Sequence, residues 1–384
     1  MQKDYHIKDP TLKNNRIFLI TIFINTDKLK NYKGKSFEEE INNEMIELCY
    51  TANLEVINKN EPFVIILKNI NPKTFIGSGN IAKIKESSKK YKYEFIGLNL
   101  DISPSQQKNL SSIFNCKVIT KSEIIYEIFY RRASSSVSKI QIELANLKYI
   151  KSRLAGSYED YDRIRGGIGI KGGAGETKLE IDRRNINRRI SYLKSSLKKL
   201  EKHFELILNS HKDIYTVSIV GYTNAGKSTL LNALTNANQI EEDLLFSTLE
   251  TKSKRLFLNK DLSIIIVDTI GFIRDLPHHL VESFKTTLME IKYSKLILHV
   301  VDISSEFYED HKDTVNKTLE EIDCDKIPKI LVFNKIDKID NFKIENYKKL
   351  WRDSFFISAK NKENIDELKG FLEKFFLSHK SLKN

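Results

Sequence analysis

Arg16–Asn25 reads RIFLITIFIN, a nearly continuous apolar run of strand length, which predicts a buried strand. Phe37–Thr51 instead repeats apolar residues at helical spacing among glutamates, so it predicts a helix with an acidic outer face. By the same reading Pro62–Leu67 and Glu94–Leu98 are strands, and Ser103–Phe114 and Ser122–Phe129 are helices. Ser103-Pro104 marks a helix start: serine can cap a free backbone N–H, and proline suits a first turn, where no N–H is needed. Strands alternating with helices predict a parallel-sheet α/β domain over residues 1–131.

The period then changes. Ile140, Leu144, Leu147, Ile150 and Leu154 place a helix over Ser138–Leu154, and Ile186, Ile190, Leu193, Leu197, Leu200 and Phe204 place another over Leu179–Leu208. Between them Arg165–Gly175 holds six of the chain's 15 glycines, which excludes helix and ordinary strand. Two helices joined by a glycine loop predict an antiparallel hairpin over residues 132–212. From Ile214 onward strands and helices alternate again, the pattern of a doubly wound α/β domain over residues 213–384.

Composition narrows the class. A chain of 384 residues that is 40% hydrophobic has material for two or three packed domains. Its longest apolar runs, Ser263–Val267 and Leu296–Val301, are strand-sized and well short of the roughly 18 residues a membrane helix needs. Met1–His6 lacks the apolar core of a secretion signal, and Cys49, Cys116 and Cys324 are too few and too scattered for a disulfide framework or a metal knuckle. The expectation is a soluble, cytoplasmic monomer.

Charge adds a partner. The formal net charge is +12, and residues 131–212 contribute 19 basic against 9 acidic side chains. Nine of the 13 arginines lie there: Arg131, Arg132, Arg153, Arg163, Arg165, Arg183, Arg184, Arg188 and Arg189. A solvated helical face is the plain explanation of a charge run. Concentrated arginine beside a flexible glycine tract favours nucleic-acid contact, because the planar guanidinium fork matches phosphate and glycine lets backbone approach it closely.

The C-terminal region carries the chemistry. Val217–Val220 reads as a strand, followed by Gly221-Tyr222-Thr223-Asn224-Ala225-Gly226-Lys227-Ser228 and a helical Thr229–Leu234, the strand–loop–helix setting that G-x-x-x-x-G-K-S requires. Gly221 and Gly226 permit a backbone whose N–H groups face phosphate, Lys227 neutralises β/γ-phosphate charge, and the Ser228 hydroxyl ligates magnesium. Leu262–Val267 runs into Asp268-Thr269-Ile270-Gly271, which places a carboxylate near that metal and a glycine N–H near the γ-phosphate. Lys329–Phe333 delivers Asn334-Lys335-Ile336-Asp337. A buried Asp337 carboxylate accepts from guanine N1–H and its amine together, a pair of donors adenine lacks, so the base is guanine and the substrate GTP. Ser358-Ala359-Lys360 would supply backbone contacts to the guanine carbonyl. Within Leu245-Phe246-Ser247-Thr248-Leu249-Glu250-Thr251 a threonine would complete the magnesium shell in the GTP state; Thr248 is the choice, and spacing does not separate it from Thr251. Phe272 stands where many GTPases carry a water-orienting glutamine, so slow intrinsic hydrolysis is expected, completed by a partner, by a potassium ion for which Asn224 offers an oxygen, or by both.

Several segments together resemble the HflX-type GTPases. Gly172–Arg184 (GGAGETKLEIDRR) is similar to the glycine-rich signature ahead of that family's G domain. Thr74–Asn80, Leu100–Leu110, Leu245–Glu250 and Asp268–His279 (DTIGFIRDLPHH) are similar to further family segments. The signature's proline is absent, one residue is inserted near Lys171, and Asn80 replaces the usual lysine. The resemblance implies a translational GTPase that binds the large ribosomal subunit, its N-terminal domain and glycine loop reaching ribosomal RNA, with a role in rescue by ribosome splitting or in biogenesis. Some members are reported to use ATP through the N-terminal domain; residues 1–130 hold no lysine loop, so no ATP chemistry is expected there. The rivals are an RNA-remodelling factor that works independently of GTP, and a GTPase acting on a protein partner.

Overall fold

β1 (Arg16–Ile24) has parallel partners on both edges: β2 (Glu55–Val56) and then β3 (Phe63–Leu67) on one, β4 (Phe95–Leu98) on the other, with β5 (Lys117–Thr120) beyond β4. Seven consecutive residues of β1 are buried, which is why its sequence does not alternate. Around this sheet stand α1 (Gly34–Thr51), α2 (Ser78–Ser88), α3 (Pro104–Phe114) and α4 (Lys121–Arg132). The computed structural model describes residues 15–24, 34–165, 178–210, 215–235, 245–246, 251–284 and 291–381.

Ser103 caps α3 as expected: its Oγ accepts from the Gln106 N–H at 3.3 Å while Gln106 Oε1 accepts from the Ser103 N–H at 3.0 Å, a reciprocal capping box. Three elements were not legible in sequence. β2 has two residues and β5 four, too few to show a period, and α2 opens on Ser-Gly-Asn with a sparse apolar stripe.

Two long helices follow, α5 (Ser136–Arg165) and α6 (Lys178–Ser210). α5 runs well past Leu154, because an apolar repeat marks where a helix packs and not where its backbone ends. The chain forms two compact units, Met1–Arg132 with Asn146–Ser191 and Ala133–Ala145 with Tyr192–Asn384, so each long helix contributes to both. In the first unit Arg153 of α5 donates to the Ile102 carbonyl at 3.0 Å and to Gln107 Oε1, and its guanidinium lies 5.1 Å from the Tyr149 ring centroid. Arg131 pairs with Glu127 at 2.6 Å. These two arginines were expected among the phosphate-facing set; they are tied to groups within their own unit, because each has an acceptor in reach.

The second unit holds a six-stranded sheet in the order β11-β10-β9-β6-β8-β7. The strands are β6 (Tyr215–Gly221), β7 (Lys252–Asn259), β8 (Leu262–Asp268), β9 (Leu296–Asp302), β10 (Lys329–Asn334) and β11 (Ser354–Phe356). All neighbours are parallel except β7 on β8. β7 escaped the sequence reading because it is an edge strand with only Leu256 buried, so Lys252, Lys254 and Arg255 mask its period. Val300 packs in one cluster with Leu230 of α7 (Lys227–Thr235) and Leu372 of α11 (Ile365–Ser381). The next residue, Val301, packs in another with Tyr308 of α9 (Tyr308–Glu321) and Ile344 of α10 (Asn341–Leu350). Helices therefore cover both faces, the doubly wound arrangement; α8 (His278–Ser283) is a further described helix of this unit. No described helix is long and apolar enough to cross a membrane.

Replacing Ser103 by alanine should cost about 1 kcal/mol, the usual value of a lost N-cap. Urea unfolding of the transition that carries the N-terminal unit checks this, with Ser103→Thr, which keeps a capping oxygen, close to the parent.

Candidate nucleotide-binding site

β6 ends at Gly221 against β9, so close that a Cβ there would lie 2.3 Å from the Val300 carbonyl oxygen. Gly226 is required for a different reason: its φ is +91°, and a Cβ would meet Asn334 Nδ2 at 2.2 Å. Between them the exposed Asn224 takes a left-handed φ of 60°, which asparagine tolerates. α7 then begins at Lys227, so the loop turns directly into a helix N-terminus that favours anions. The lysine is buried, and its Nζ donates to the Tyr222 carbonyl at 2.8 Å. Burial pushes its ammonium down to about 8; Asp268 opposes that shift and Lys335 adds to it.

β8 brings Asp268 alongside. Its Oδ2 accepts from Ser228 Oγ at 2.7 Å, so the two predicted metal-site oxygens are adjacent. Thr269 donates both its N–H and its hydroxyl to the Ile219 carbonyl, at 3.3 and 2.8 Å, which locks the end of β8 to β6. Beyond it, Gly271 lies so near the lysine that a Cβ would sit 2.9 Å from Lys227 Nζ. The Phe272 N–H donates to the Gly221 carbonyl at 3.1 Å, and the Thr223 N–H donates to the Phe272 carbonyl at 2.7 Å. The phenyl ring itself is 2% exposed and belongs to the core, so it cannot orient a water molecule.

β10 ends at Asn334, whose carboxamide is shared between two loops. Nδ2 donates to the Ala225 carbonyl at 2.9 Å, and Oδ1 accepts from the Ala359 N–H at 2.9 Å. Lys335 follows at φ 67° and pairs with Asp302 at 2.8 Å. Asp337 was expected to be buried and is exposed. It sits in the single 3₁₀ turn Ile336–Lys338, where Ile336 takes the core position and so turns its neighbour outward. Ser358 Oγ donates to Asp337 Oδ1 at 2.5 Å, which fixes the plane of the carboxylate. Ser358 and Ala359 are buried, and Lys360 is exposed.

Gly221–Ser228, Asp268–Gly271, Asn334–Asp337 and Ser358–Lys360 thus gather where β6, β8, β10 and β11 end, the position at which open parallel sheets place their ligands. Of the segment between the first two, Leu245 and Phe246 are buried, Phe246 with φ 54°. Ser247, Thr248, Leu249 and Glu250 lie outside the described residues, as does the glycine tract 166–177; Thr251 precedes β7. Among the described residues no group of three or more His, Cys, Asp or Glu is arranged to hold a metal. Asp302 was missed by the sequence reading, although it ends an apolar strand just as Asp268 does. On α6, Arg183, Arg184, Arg188 and Arg189 are exposed, while Ile190, Leu193 and Leu197 are buried.

Comparison with known proteins bears on these residues. A family model described as "GTP-binding GTPase N-terminal" matches residues 39–130, one described as "GTP-binding GTPase Middle Region" matches 132–210, and one described as "50S ribosome-binding GTPase" matches 216–335. GTPase HflX of Caldanaerobacter subterraneus subsp. tengcongensis is 41% identical over 343 residues, covering 88% of this chain and 77% of its own length. GTPase HflX of Flavobacterium psychrophilum is 38% identical over 353 residues, covering 86% and 84%. Among solved structures, a GTP-binding protein from Sulfolobus solfataricus in complex with GDP is 25% identical, with 94% of this chain and 97% of that chain covered and a TM-score of 0.46.

Asn334→Ala removes both bonds that join the Ala225 and Ala359 loops. Two buried hydrogen bonds at roughly 1 kcal/mol each predict nucleotide affinity weakened about 30-fold, read by titration calorimetry.

Proposed function

The chain belongs to the HflX family of GTPases and hydrolyses GTP, and from that premise we propose that it is a magnesium-dependent switch that docks on the large ribosomal subunit when GTP is bound. The observation that carries this reading is the convergence of the four loops, three of them tied together by Asn334. In this assignment Asp337 selects guanine, its plane set by Ser358, while Ala359 and Lys360 meet the base from the other side. Gly221–Gly226 wrap the phosphates, Lys227 offsets their charge, and the Gly271 N–H meets the terminal one.

The residues fit magnesium. Ser228 Oγ and Asp268 Oδ2 are adjacent hard oxygens, and so small a protein set suits an ion that keeps several waters and takes the rest of its shell from substrate phosphates. When bound, the ion neutralises charge developing on the phosphate oxygens. Thr248, with Thr251 as the competing position, would complete the ion's shell in the GTP state, and Phe246, Ser247, Leu249 and Glu250 are assigned with it to the nucleotide site. Because Phe272 is a core residue, intrinsic hydrolysis is slow and is completed by the ribosome together with potassium held at Asn224.

Docking is assigned to the arm, residues 132–212, with the domain over 1–131 alongside and the GTPase domain over 213–384 as the switch. The exposed Arg183, Arg184, Arg188 and Arg189 of α6 support it, as does the excess of base in that stretch. In this reading the protein acts as a monomer in the cytoplasm, in ribosome rescue by splitting or in ribosome biogenesis.

Sedimentation with purified large subunits should show the protein co-pelleting with a non-hydrolysable GTP analogue and not with GDP, and binding should fall steeply between about 50 and 200 mM salt. Binding indifferent to nucleotide would favour an RNA-remodelling factor, and GTP-dependent release of intact ribosomes into subunits separates splitting from biogenesis. Hydrolysis should be several-fold faster in potassium than in sodium buffer; equal rates remove potassium from the assignment.

A further inference from the structure

Tyr222, second in the phosphate loop, makes two separate connections. Its backbone carbonyl accepts from Lys227 Nζ at 2.8 Å. At the far end of the ring its phenol oxygen accepts from the backbone N–H of Arg274 at 3.0 Å. The ring itself lies flat on the imidazole of His311 in the first turn of α9, with centroids 4.0 Å apart and planes at 15°. Both rings are buried, at 6% and 8% exposure. Packing alone would be met by any flat ring here, whereas a phenol carries an oxygen that needs a partner when buried, and this one reaches the chain three residues past Gly271.

Three hydrogen bonds among those described fasten the segment after Asp268 to the loop: Phe272 N–H on Gly221, Thr223 N–H on Phe272, and Arg274 N–H on Tyr222. The first two are backbone pairs that any sequence could make. The third depends on one side chain. It is also the last before the backbone turns at Asp275, φ 52°, toward α8. In this arrangement Gly271 stands beside Lys227, where a terminal phosphate would meet both. A diphosphate makes no such demand on Gly271, so a bond that holds the segment here contributes to GTP binding and not to GDP binding.

We propose that Tyr222 is a positioning residue that latches the Asp268–Arg274 segment onto the phosphate loop, with His311 as the backing of the latch, and that its strength sets the preference for GTP over GDP. The assignment rests on the GTPase site described above. It gives the Tyr222 side chain and His311 a part in nucleotide discrimination although neither ring is needed to contact the nucleotide.

Tyr222→Phe keeps the ring, the stack and the carbonyl, and removes the phenol oxygen that accepts from Arg274. Affinities for a non-hydrolysable GTP analogue and for GDP are measured by fluorescent-nucleotide titration on the full chain, with thermal unfolding as the check on folding. Loss of one hydrogen bond predicts about fivefold weaker binding of the GTP analogue, with GDP affinity within twofold of the parent. His311→Ala should lower the same ratio, and His311→Phe, which restores a flat ring, should recover it. A GTP-to-GDP ratio equal to the parent's in both Tyr222→Phe and His311→Ala overturns the latch, whether the two affinities are unchanged or fall together. Failure of the parent itself to bind the GTP analogue would instead sink the site on which the latch rests.

Discussion

Asn334 donates to the Gly221–Ser228 loop and accepts from the Ser358–Lys360 loop, and this shared carboxamide constrains the rest of the site. Its reach is short, so the end of β10, the Ala225 turn and Ala359 must sit within one side chain of each other. That closeness is what forbids a Cβ at Gly226. It explains why residues more than a hundred positions apart are joined at one site. The sheet provides the means: its five parallel strands, β6, β8, β9, β10 and β11, bring their C-terminal ends, and the loops that follow them, to one edge.

Electrostatics follow from the same geometry. Lys227 is buried with the Tyr222 carbonyl as its hydrogen-bond partner, and burial lowers its affinity for a proton. Asp268, buried and bonded to Ser228, offsets part of that cost. In the proposed GTP complex a triphosphate would add to the countercharge of Asp268 and offset more of the lysine's desolvation cost. The latch at Tyr222 works on the same elements from behind, joining the lysine's acceptor to the segment that follows Asp268.

The loops that gather at the strand ends were legible before any fold was known, because each is a local pattern. A glycine loop between a strand and a helix, or a strand ending in Asp-x-x-Gly or Asn-Lys-x-Asp, carries its geometry within a few residues. Readings that relied on surroundings fared differently. Asp337 was expected inside and lies outside, since the 3₁₀ turn gives the core position to Ile336. Arg131 and Arg153 were counted with the phosphate-facing arginines and are held by Glu127, Gln107 and the Ile102 carbonyl. β7 was missed because edge strands need no apolar face.

Residue order alone therefore specified the layers, the strand-to-loop transitions and the chemical class of the site, all of which rest on periodicity and on backbone freedom within short windows. Folding in three dimensions chose the partners: which carboxylate holds which cation, which face a one-turn helix shows to water, and that a phenol in one loop accepts from an N–H some fifty residues later. Such pairings depend on distances between segments that the chain brings together only through its sheet. No local pattern encodes them, because a side chain's partner is set by what the neighbouring strands deliver to it.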